Sequence, residues 1–277
     1  MVVGRLAPTP SGQLHLGNVL AFAGCWLSAR SSGGQVLVRV EDVDIGRSRF
    51  GVAADQLRDL EWLGFDWDGR TPDQSDRTYQ PFADRLIEHT YRCVCTRKQR
   101  QQTTSRCACD GAKHPEGALR FRLDGERVAF EDRRFGSVMV DPAMAFGDPT
   151  LQRRDGVWAY NLAVVVDDIV DGVTEVVRGA DLLEFTAVQI QLWRAFGATP
   201  PTWLHTPLVL GADGRKLGKS HGSTELRHLR DLGWTPSRVW QTVLPWLGIQ
   251  ADSLVEALPG FEPTRGPLGP LTIGDAE

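Results

Sequence analysis

Two short segments carry residues that could bind the phosphates of a nucleotide. In the first, residues 5–18, a turn rich in proline and glycine leads to His15, Gly17 and Asn18 at the start of a run with helical periodicity. Unpaired N–H groups and the helix dipole at such a start favour anions. His15 could therefore contact a bound phosphate, or it could simply cap the helix.

The second segment, residues 211–220, is a glycine-rich loop with cations at Arg215, Lys216 and Lys219. Lysines held in place beforehand can neutralise the charge that builds on a transferring phosphate group. The glycines would let the loop close over a ligand. A solvated basic turn has the same composition, so this segment indicates catalysis only in combination with residues 5–18.

Four of the five cysteines form two Cys-x-Cys pairs, Cys93 with Cys95 and Cys107 with Cys109. In a reducing compartment such pairs are typical of a metal site rather than disulfides, and four thiolates suit tetrahedral zinc. The sequence therefore predicts one structural Zn²⁺. His114 could replace one of the four ligands, and two disulfides or free thiols are the alternatives.

Composition favours a globular protein without membrane segments. The 277 residues are 42% hydrophobic, and no apolar run approaches the roughly 18 residues that span a bilayer. The amino terminus lacks the pattern of a signal peptide, so we expect a cytoplasmic protein, and nothing in the sequence suggests an obligate interface beyond a monomer. The net charge of −4 gives no general attraction to RNA. Residues 92–134 form a local basic excess, eleven Lys or Arg against six Asp or Glu, which is either an RNA contact or a solvated surface.

The elements that must position these residues predict an α/β fold. Strands over 2–7 and 36–40 flank a helix that begins at Leu16 and ends at Gly33-Gly34, so the sheet should be parallel. Further helices are predicted over 52–63, 82–91, 182–196 and 223–247, strands over 157–166 and 174–177, and an irregular tail from Ala251. We divide the chain into residues 1–92 and 123–222, the halves of the nucleotide-binding domain, the cysteine-bearing insertion 93–122, and a helical segment 223–277.

Several strings in this order resemble the catalytic domain of class I aminoacyl-tRNA synthetases, specifically the glutamyl-tRNA synthetase family. The resemblance runs from Arg5 to about Leu226, and Gly218 is a departure because the family more often has serine there. It implies a Rossmann-like parallel sheet with a small zinc-bearing insertion and a carboxyl-terminal helical segment. The strings are residues 5–18, 39–48, 158–168, 177–181 and 216–220.

The resemblance also implies roles for individual residues. Arg5 and Tyr160 would bind the side-chain carboxylate of glutamate, Arg178 its α-carboxylate and Glu41 its α-ammonium. Two arginines and one glutamate match a substrate with two carboxylates and one amine, although any one of them could be a structural ion pair. The resemblance also implies that Ala7 and Thr9 bind glutamate. It implies that ATP with its Mg²⁺ is bound by Thr9, His15, Gly17, Asn18, Lys216 and Lys219. Of these, His15, Lys216 and Lys219 would be catalytic.

Two features resemble a short branch of this family, the glutamyl-queuosine tRNA(Asp) synthetases. Val164 lies where full-length glutamyl-tRNA synthetases usually have asparagine, and only 57 residues follow Ser220, too few for an anticodon-binding domain. The resemblance implies glutamate activation without tRNA, then transfer to queuosine in the anticodon loop of tRNA(Asp). A truncated glutamyl-tRNA synthetase that charges the 3′ end of tRNA, an inactive RNA-binding module and another small adenylyltransferase are the alternatives.

Overall fold

A computed structural model of the chain describes residues 1–96, 98–99, 107–112, 114–211, 213–217 and 224–273. The strands are β1 (Val3–Leu6), β2 (Gln35–Val38), β3 (Gly69–Arg70), β4 (Thr90–Cys93), β5 (Ala118–Phe121), β6 (Val128–Asp132), β7 (Gly136–Val140), β8 (Thr150–Gln152), β9 (Glu175–Gly179), β10 (Thr202–Thr206), β11 (Val209–Leu210) and β12 (Leu271–Thr272). The α-helices are α1 (Leu16–Ser31), α2 (Val52–Trp62), α3 (Gln80–Arg85), α4 (Pro142–Phe146), α5 (Tyr160–Val170), α6 (Thr186–Ala195), α7 (Leu226–Asp231), α8 (Pro236–Val243) and α9 (Leu254–Ala257).

The predicted parallel α/β fold is confirmed. Strands β1, β2 and β3 form a parallel sheet in that order, and β9, β10 and β6 are parallel neighbours, with β7 antiparallel at the far edge. The N–H of Thr174 donates to the carbonyl of Val3 at 3.0 Å, which brings the start of β9 beside β1. Because the carboxyl ends of parallel strands open on one edge, this arrangement creates a crevice where open α/β sheets bind ligands.

Helix α1 connects β1 to β2 as the sequence predicts. Its buried residues, including Leu16 and Leu20, pack into the main core. The chain leaves the helix through Gly33, which has a φ of 63°. A Cβ at Gly34 would lie 2.3 Å from the carbonyl oxygen of Val2, so only glycine fits there. The two glycines therefore end the helix and allow the return into β2.

One predicted strand is a helix. We expected a strand over 157–166, because Val164–Val166 are three consecutive β-branched residues, but α5 begins at Tyr160 and continues to Val170. Burial explains the failure of the pattern, since the valines lie in a core that surrounds the helix and leave no alternating polar face.

Other helix predictions had the right region but the wrong extent. The helix predicted over 52–63 is confirmed. In the region 82–91, where one continuous helix was predicted, the α-helix ends at Arg85 and β4 begins at Thr90. The α-helix expected over 182–196 begins only at Thr186. The described part of 223–247 is interrupted, because Gly233 takes a φ of 80° and α8 begins anew at Pro236.

The tail from Ala251 is more regular than expected. Helix α9 buries Leu254 in the main core, and β12 pairs in parallel with β11. Arg134, which follows β6, donates hydrogen bonds to the carbonyls of Trp246, Pro263 and Pro267. The tail is thus held by the main core, by β11 and by Arg134.

A separate antiparallel sheet of β4, β5 and β8 supports the first cysteine pair. Gly117 passes so close to β4 that a Cβ there would lie 2.7 Å from the Cys93 nitrogen. None of the helices formed by the described residues combines the length and apolar character needed to cross a lipid bilayer. The division of the chain at residues 92, 122 and 222 stays a prediction.

Candidate active site

A cleft of about 420 Å³ opens at the carboxyl ends of β1, β2 and β9. This volume is within the range of small-molecule sites. Lys219 lies outside the described residues, as do Gly218 and Ser220 of the same loop. The cleft is lined by every other residue predicted to bind glutamate or ATP, namely Arg5, Ala7, Thr9, His15, Gly17, Asn18, Glu41, Tyr160, Arg178 and Lys216.

His15 both caps α1 and lines the cleft. Its Nδ1 accepts the N–H of Gly17 at 3.1 Å, and the side chain of Asn18 accepts the N–H of His15 at 3.1 Å. In a neutral ring with an accepting Nδ1 the proton is on Nε2. The two predicted roles of His15, helix cap and phosphate contact, are therefore compatible, because the cap favours the tautomer whose Nε2 is a donor. The first turn of α1 contains no acidic residue that would oppose an anion.

The loop between β1 and α1 is held by a residue that sequence analysis missed. Gln56, on α2, is buried, and its Nε2 donates to the carbonyls of Thr9 at 3.0 Å and Gly12 at 2.7 Å. The Glu41 N–H donates to the carbonyl of Pro8 at 2.9 Å. These bonds fix the loop against two neighbouring elements.

Arg5 is buried at the end of β1 against a carboxylate of α5. Its Nε donates to Asp168 Oδ1 at 3.1 Å, and Arg39 Nη2 reaches the same oxygen at 2.7 Å. Burial alone would raise the pKa of the Asp168 carboxyl, but the two guanidinium groups hold the pKa below its ordinary value. Asp168 is thus ionised and fixes both arginines.

Glu41 is a buried carboxylate that lines the cleft. It is 9% exposed, and its Oε1 accepts from Arg39 Nη2 at 3.2 Å. Burial raises the pKa of Glu41 above its ordinary value, although Arg39 and Arg5 oppose the shift. Glu41 therefore protonates more easily than a surface glutamate.

Arg178 is equally buried but has different partners. Its Nε donates to His205 Nε2 at 3.1 Å, its Nη1 to Gln189 Oε1 at 2.7 Å, and its Nη2 to Thr186 Oγ1 at 2.9 Å. The guanidinium carbon lies 5.0 Å from the centre of the Trp203 ring. Among the described residues, the atoms that accept hydrogen bonds from Arg178 are uncharged. Burial lowers the pKa of Arg178. This cation lacks an adjacent anion in the described structure and favours an anionic ligand.

His205 connects Arg178 to a buried carboxylate. Its Nδ1 lies 2.7 Å from Asp132 Oδ2, which also accepts the His205 N–H at 3.1 Å. Burial lowers the pKa of His205 even though Asp132 opposes the shift, and the Arg178 charge lowers it further. The ring is therefore neutral, with the proton on Nδ1 toward Asp132 and an accepting Nε2 toward Arg178.

Tyr160 and Lys216 complete the cleft. Burial raises the pKa of the Tyr160 hydroxyl, which stays a neutral donor. Lys216 forms an ion pair with Asp181, which follows β9. A phosphate would compete with Asp181 for this lysine.

The four paired cysteines converge outside the cleft. Their sulfurs lie within 4.8 Å of one another, with Cys107 3.5 Å from both Cys93 and Cys95, and Cys95 3.6 Å from Cys109. None of these four cysteines forms a disulfide. The group contains no histidine, so His114 is not part of it. Four sulfurs at these separations could bind a metal ion such as zinc.

The residues that sequence analysis missed are the partners of the ligand-binding groups. Asp168 lies three residues before Asp171, the residue that caps the end of α5, and this spacing could have indicated an ion-pairing face. His205, Asp132 and Gln56 had no local signal, because their partners are distant in sequence.

Several known proteins are similar to this chain in sequence. The family described as tRNA synthetases class I (E and Q), catalytic domain, matches residues 1–264. A relative from Xanthomonas campestris pv. campestris is 41% identical over 282 residues, covering 95% of this chain and 93% of its own. Another, from Nitratidesulfovibrio vulgaris, is 41% identical over 266 residues, 84% of this chain and 82% of its own. Both are named glutamyl-Q tRNA(Asp) synthetase.

Solved structures share the fold. Glutamate-tRNA synthetase from Elizabethkingia anophelis superposes with a TM-score of 0.84 at 22% identity, over 98% of this chain and 68% of its own. A glutamate tRNA ligase from Elizabethkingia meningosepticum, solved in complex with its amino acid, superposes with a TM-score of 0.84 at 22% identity. The superposition covers 99% of this chain and 67% of that one. At this identity the likeness concerns the fold alone.

Proposed function

The chain belongs to the catalytic-domain family of class I tRNA synthetases for glutamate and glutamine, and we propose that it activates glutamate with ATP and transfers it to queuosine in tRNA(Asp). One observation carries the proposal. A single cleft brings together two buried arginines, a buried carboxylate and the start of α1. Such a cleft can bind an amino acid with two carboxylates next to a nucleotide phosphate.

In the proposed complex each charge of glutamate has a partner. Arg178 binds the α-carboxylate, since it is the buried cation with uncharged acceptors. Arg5 and Tyr160 bind the side-chain carboxylate, and Glu41 binds the α-ammonium. Ala7 and Thr9 form the adjoining wall.

Activation then joins glutamate to the nucleotide. An α-carboxylate oxygen attacks the α-phosphorus of ATP, the bond to pyrophosphate breaks, and glutamyl-adenylate forms. The Nε2–H of His15 and the amino end of α1, with Gly17 and Asn18, would stabilise the developing phosphate charge. Lys216 would leave Asp181 for the phosphates, Lys219 would join it, and Mg²⁺ would neutralise phosphate oxygens.

In the second step a hydroxyl of the queuosine cyclopentenediol attacks the acyl carbon, and AMP leaves. The names of the relatives support this acceptor. A tRNA substrate would place the reaction in the cytoplasm.

The acceptor is tested with labelled glutamate and three purified RNAs: tRNA(Asp) with queuosine, the same tRNA without it, and tRNA(Glu). We expect label on the queuosine form alone, and pyrophosphate exchange that needs no tRNA. Label on tRNA(Glu) would instead make the chain a minimal glutamyl-tRNA synthetase. Label on none, without pyrophosphate exchange, would contradict the activity altogether.

The four-cysteine group supports a structural Zn²⁺. A tetrahedral zinc with bonds of about 2.3 Å separates its sulfurs by roughly 3.8 Å, close to the separations described above. The second pair is further held by Arg122, whose Nη2 donates to Asp110 Oδ1 at 2.7 Å. The metal would bind both pairs to the antiparallel sheet.

Metal analysis and chelation test this site. Protein purified under reducing conditions should contain one zinc per chain. Cys107→Ser should lower that content, whereas Cys25→Ala, a buried cysteine outside the group, should retain it. A chelator should accelerate hydrogen exchange around β4 and β5 but not in β1. Protein without zinc, or equal loss in both variants, would contradict the assignment.

A further inference from the structure

Arg178, His205 and Asp132 form a buried chain of polar side chains across three parallel strands. His205 lies directly opposite Arg178 in the register of β10 and β9, and Asp132 ends β6 on the other side of β10. His205 has no exposed surface, and Asp132 is 2% exposed. Such a group is costly to bury unless its hydrogen bonds are made.

We propose that His205, oriented by Asp132, is a positioning residue that fixes Arg178 for the α-carboxylate of glutamate. This inference rests on the proposed function and extends it to residues behind the cleft. Neither His205 nor Asp132 lines the cleft, so both act through the arginine.

The hydrogen bonds to Asp132 favour one tautomer of the His205 ring. Asp132 Oδ1 accepts the backbone N–H groups of Arg134 at 3.0 Å and Phe135 at 2.9 Å, while Oδ2 faces the His205 ring. With both oxygens engaged by donors, the carboxylate requires a proton on His205 Nδ1. His205 Nε2 is then an acceptor, and the donors that face it are Arg178 Nε–H at 3.1 Å and the Thr186 hydroxyl at 3.4 Å.

This arrangement holds the guanidinium without neutralising it. The Trp203 ring lies beneath Arg178 and stacks beside His205 with an interplanar angle of 15°. Gln189 and Thr186, both on α6, accept from the two terminal nitrogens. A carboxylate in place of His205 would pair with Arg178 and compete with the ligand, whereas a neutral imidazole orients the fork and leaves its charge for glutamate.

Two substitutions separate orientation from simple packing. His205→Asn keeps an amide nitrogen near the position of Nδ1, toward Asp132, but has no atom at the position of Nε2. His205→Gln is one bond longer and can present its amide oxygen to Arg178. We expect His205→Asn to raise the glutamate KM in ATP–pyrophosphate exchange about 10-fold to 100-fold, the effect of losing a hydrogen bond to a charged group. The ATP KM should stay unchanged, and His205→Gln should recover most of the loss.

An analogue identifies the carboxylate that is affected. 4-Aminobutyrate contains the amine and the side-chain carboxylate of glutamate but lacks the α-carboxylate. Its inhibition constant should be the same for the wild type and His205→Asn. Equally weaker binding of glutamate, ATP and 4-aminobutyrate by His205→Asn would show a general structural role and overturn the proposal. An unchanged glutamate KM would also overturn it.

Asp132→Asn provides the second test if His205→Asn does not fold. Its amide can donate to His205 Nδ1, so the ring proton would move to Nε2 and oppose Arg178 Nε–H. The glutamate KM should rise with the ATP KM unchanged, and an unchanged glutamate KM would overturn the proposal. Failure of the proposed function is distinguishable, because the wild type itself would then show no glutamate-dependent exchange.

Discussion

The two buried arginines of the cleft are held in opposite ways. Arg5 forms an ion pair with Asp168, which it shares with Arg39, whereas Arg178 is surrounded by an imidazole, an amide, a hydroxyl and an aromatic ring. Burial alone would lower the pKa of both, but Asp168 raises that of Arg5 above its ordinary value, and Arg178 remains below it. Identical side chains thus have different electrostatic states before a ligand binds.

The difference indicates how the chain balances stability against binding. On the Arg5 side the protein supplies its own anions, so the network is stable without substrate. On the Arg178 side the burial of a cation is incompletely compensated, and a ligand carboxylate completes it. Removing a charge from each side should therefore affect different properties.

Asp168→Asn should produce the largest effect, on stability. It leaves Arg5 and Arg39 buried without their shared anion, which should cost about 3–5 kcal/mol of the free energy of unfolding. Because the folded pKa of Asp168 is lowered, its contribution is present above the ordinary carboxyl pKa and is lost as the pH falls through the folded value. Urea unfolding of both proteins at neutral and acidic pH measures this difference, which should shrink on acidification.

Arg178→Gln should have the converse effect. It removes the cation but keeps an amide donor for the neutral acceptors, so the free energy of unfolding should change less than in Asp168→Asn. The glutamate KM in pyrophosphate exchange should rise about 100-fold to 1,000-fold, as when a buried charged pair loses one partner. A large loss of stability with unchanged glutamate affinity would reverse the comparison.

Glu41→Gln should give the smallest effect and a pH signature. Burial raises the pKa of Glu41, so in the wild type the glutamate KM should rise as the pH falls through that value, above the ordinary range near about 4.3. The variant should lose about 10-fold in glutamate affinity near neutral pH. Its glutamate KM should also change less than that of the wild type as the pH falls. Asp167, whose pKa burial raises to about 6, is present in both proteins, so the difference between the two profiles isolates Glu41. Identical profiles would exclude Glu41 as the partner of the ammonium.

The sequence alone predicted the parts of this cleft that local patterns encode. The turn before α1, the helix itself and its glycine end follow from periodicity and chain breakers, and the parallel sheet follows from the βαβ unit. The residues expected to contact glutamate came from resemblance, and the fold brings Arg5, Glu41 and Arg178 to one cleft.

What the sequence could not predict depends on contacts between distant segments. Asp168 pairs with Arg5 across 163 positions, and His205 meets Asp132 across 73. No period or spacing relates such residues. The valine run before Asp167 favoured a strand because only local propensity was visible in the sequence. Its helical conformation is stabilised by the packing of α5 into a core formed by several distant segments.

The shared carboxylate of Asp168 also limits the order in which the chain can mature. During synthesis Arg5 and Arg39 are made long before Asp168, and until then neither guanidinium has this anion. Burying them earlier would leave Arg5 without its ion-pair partner and Arg39 with Glu41 but without Asp168 in a forming core. The first βαβ unit must therefore wait for α5, so a nascent chain or fragment that ends before residue 168 should stay open and accessible to proteases and chaperones.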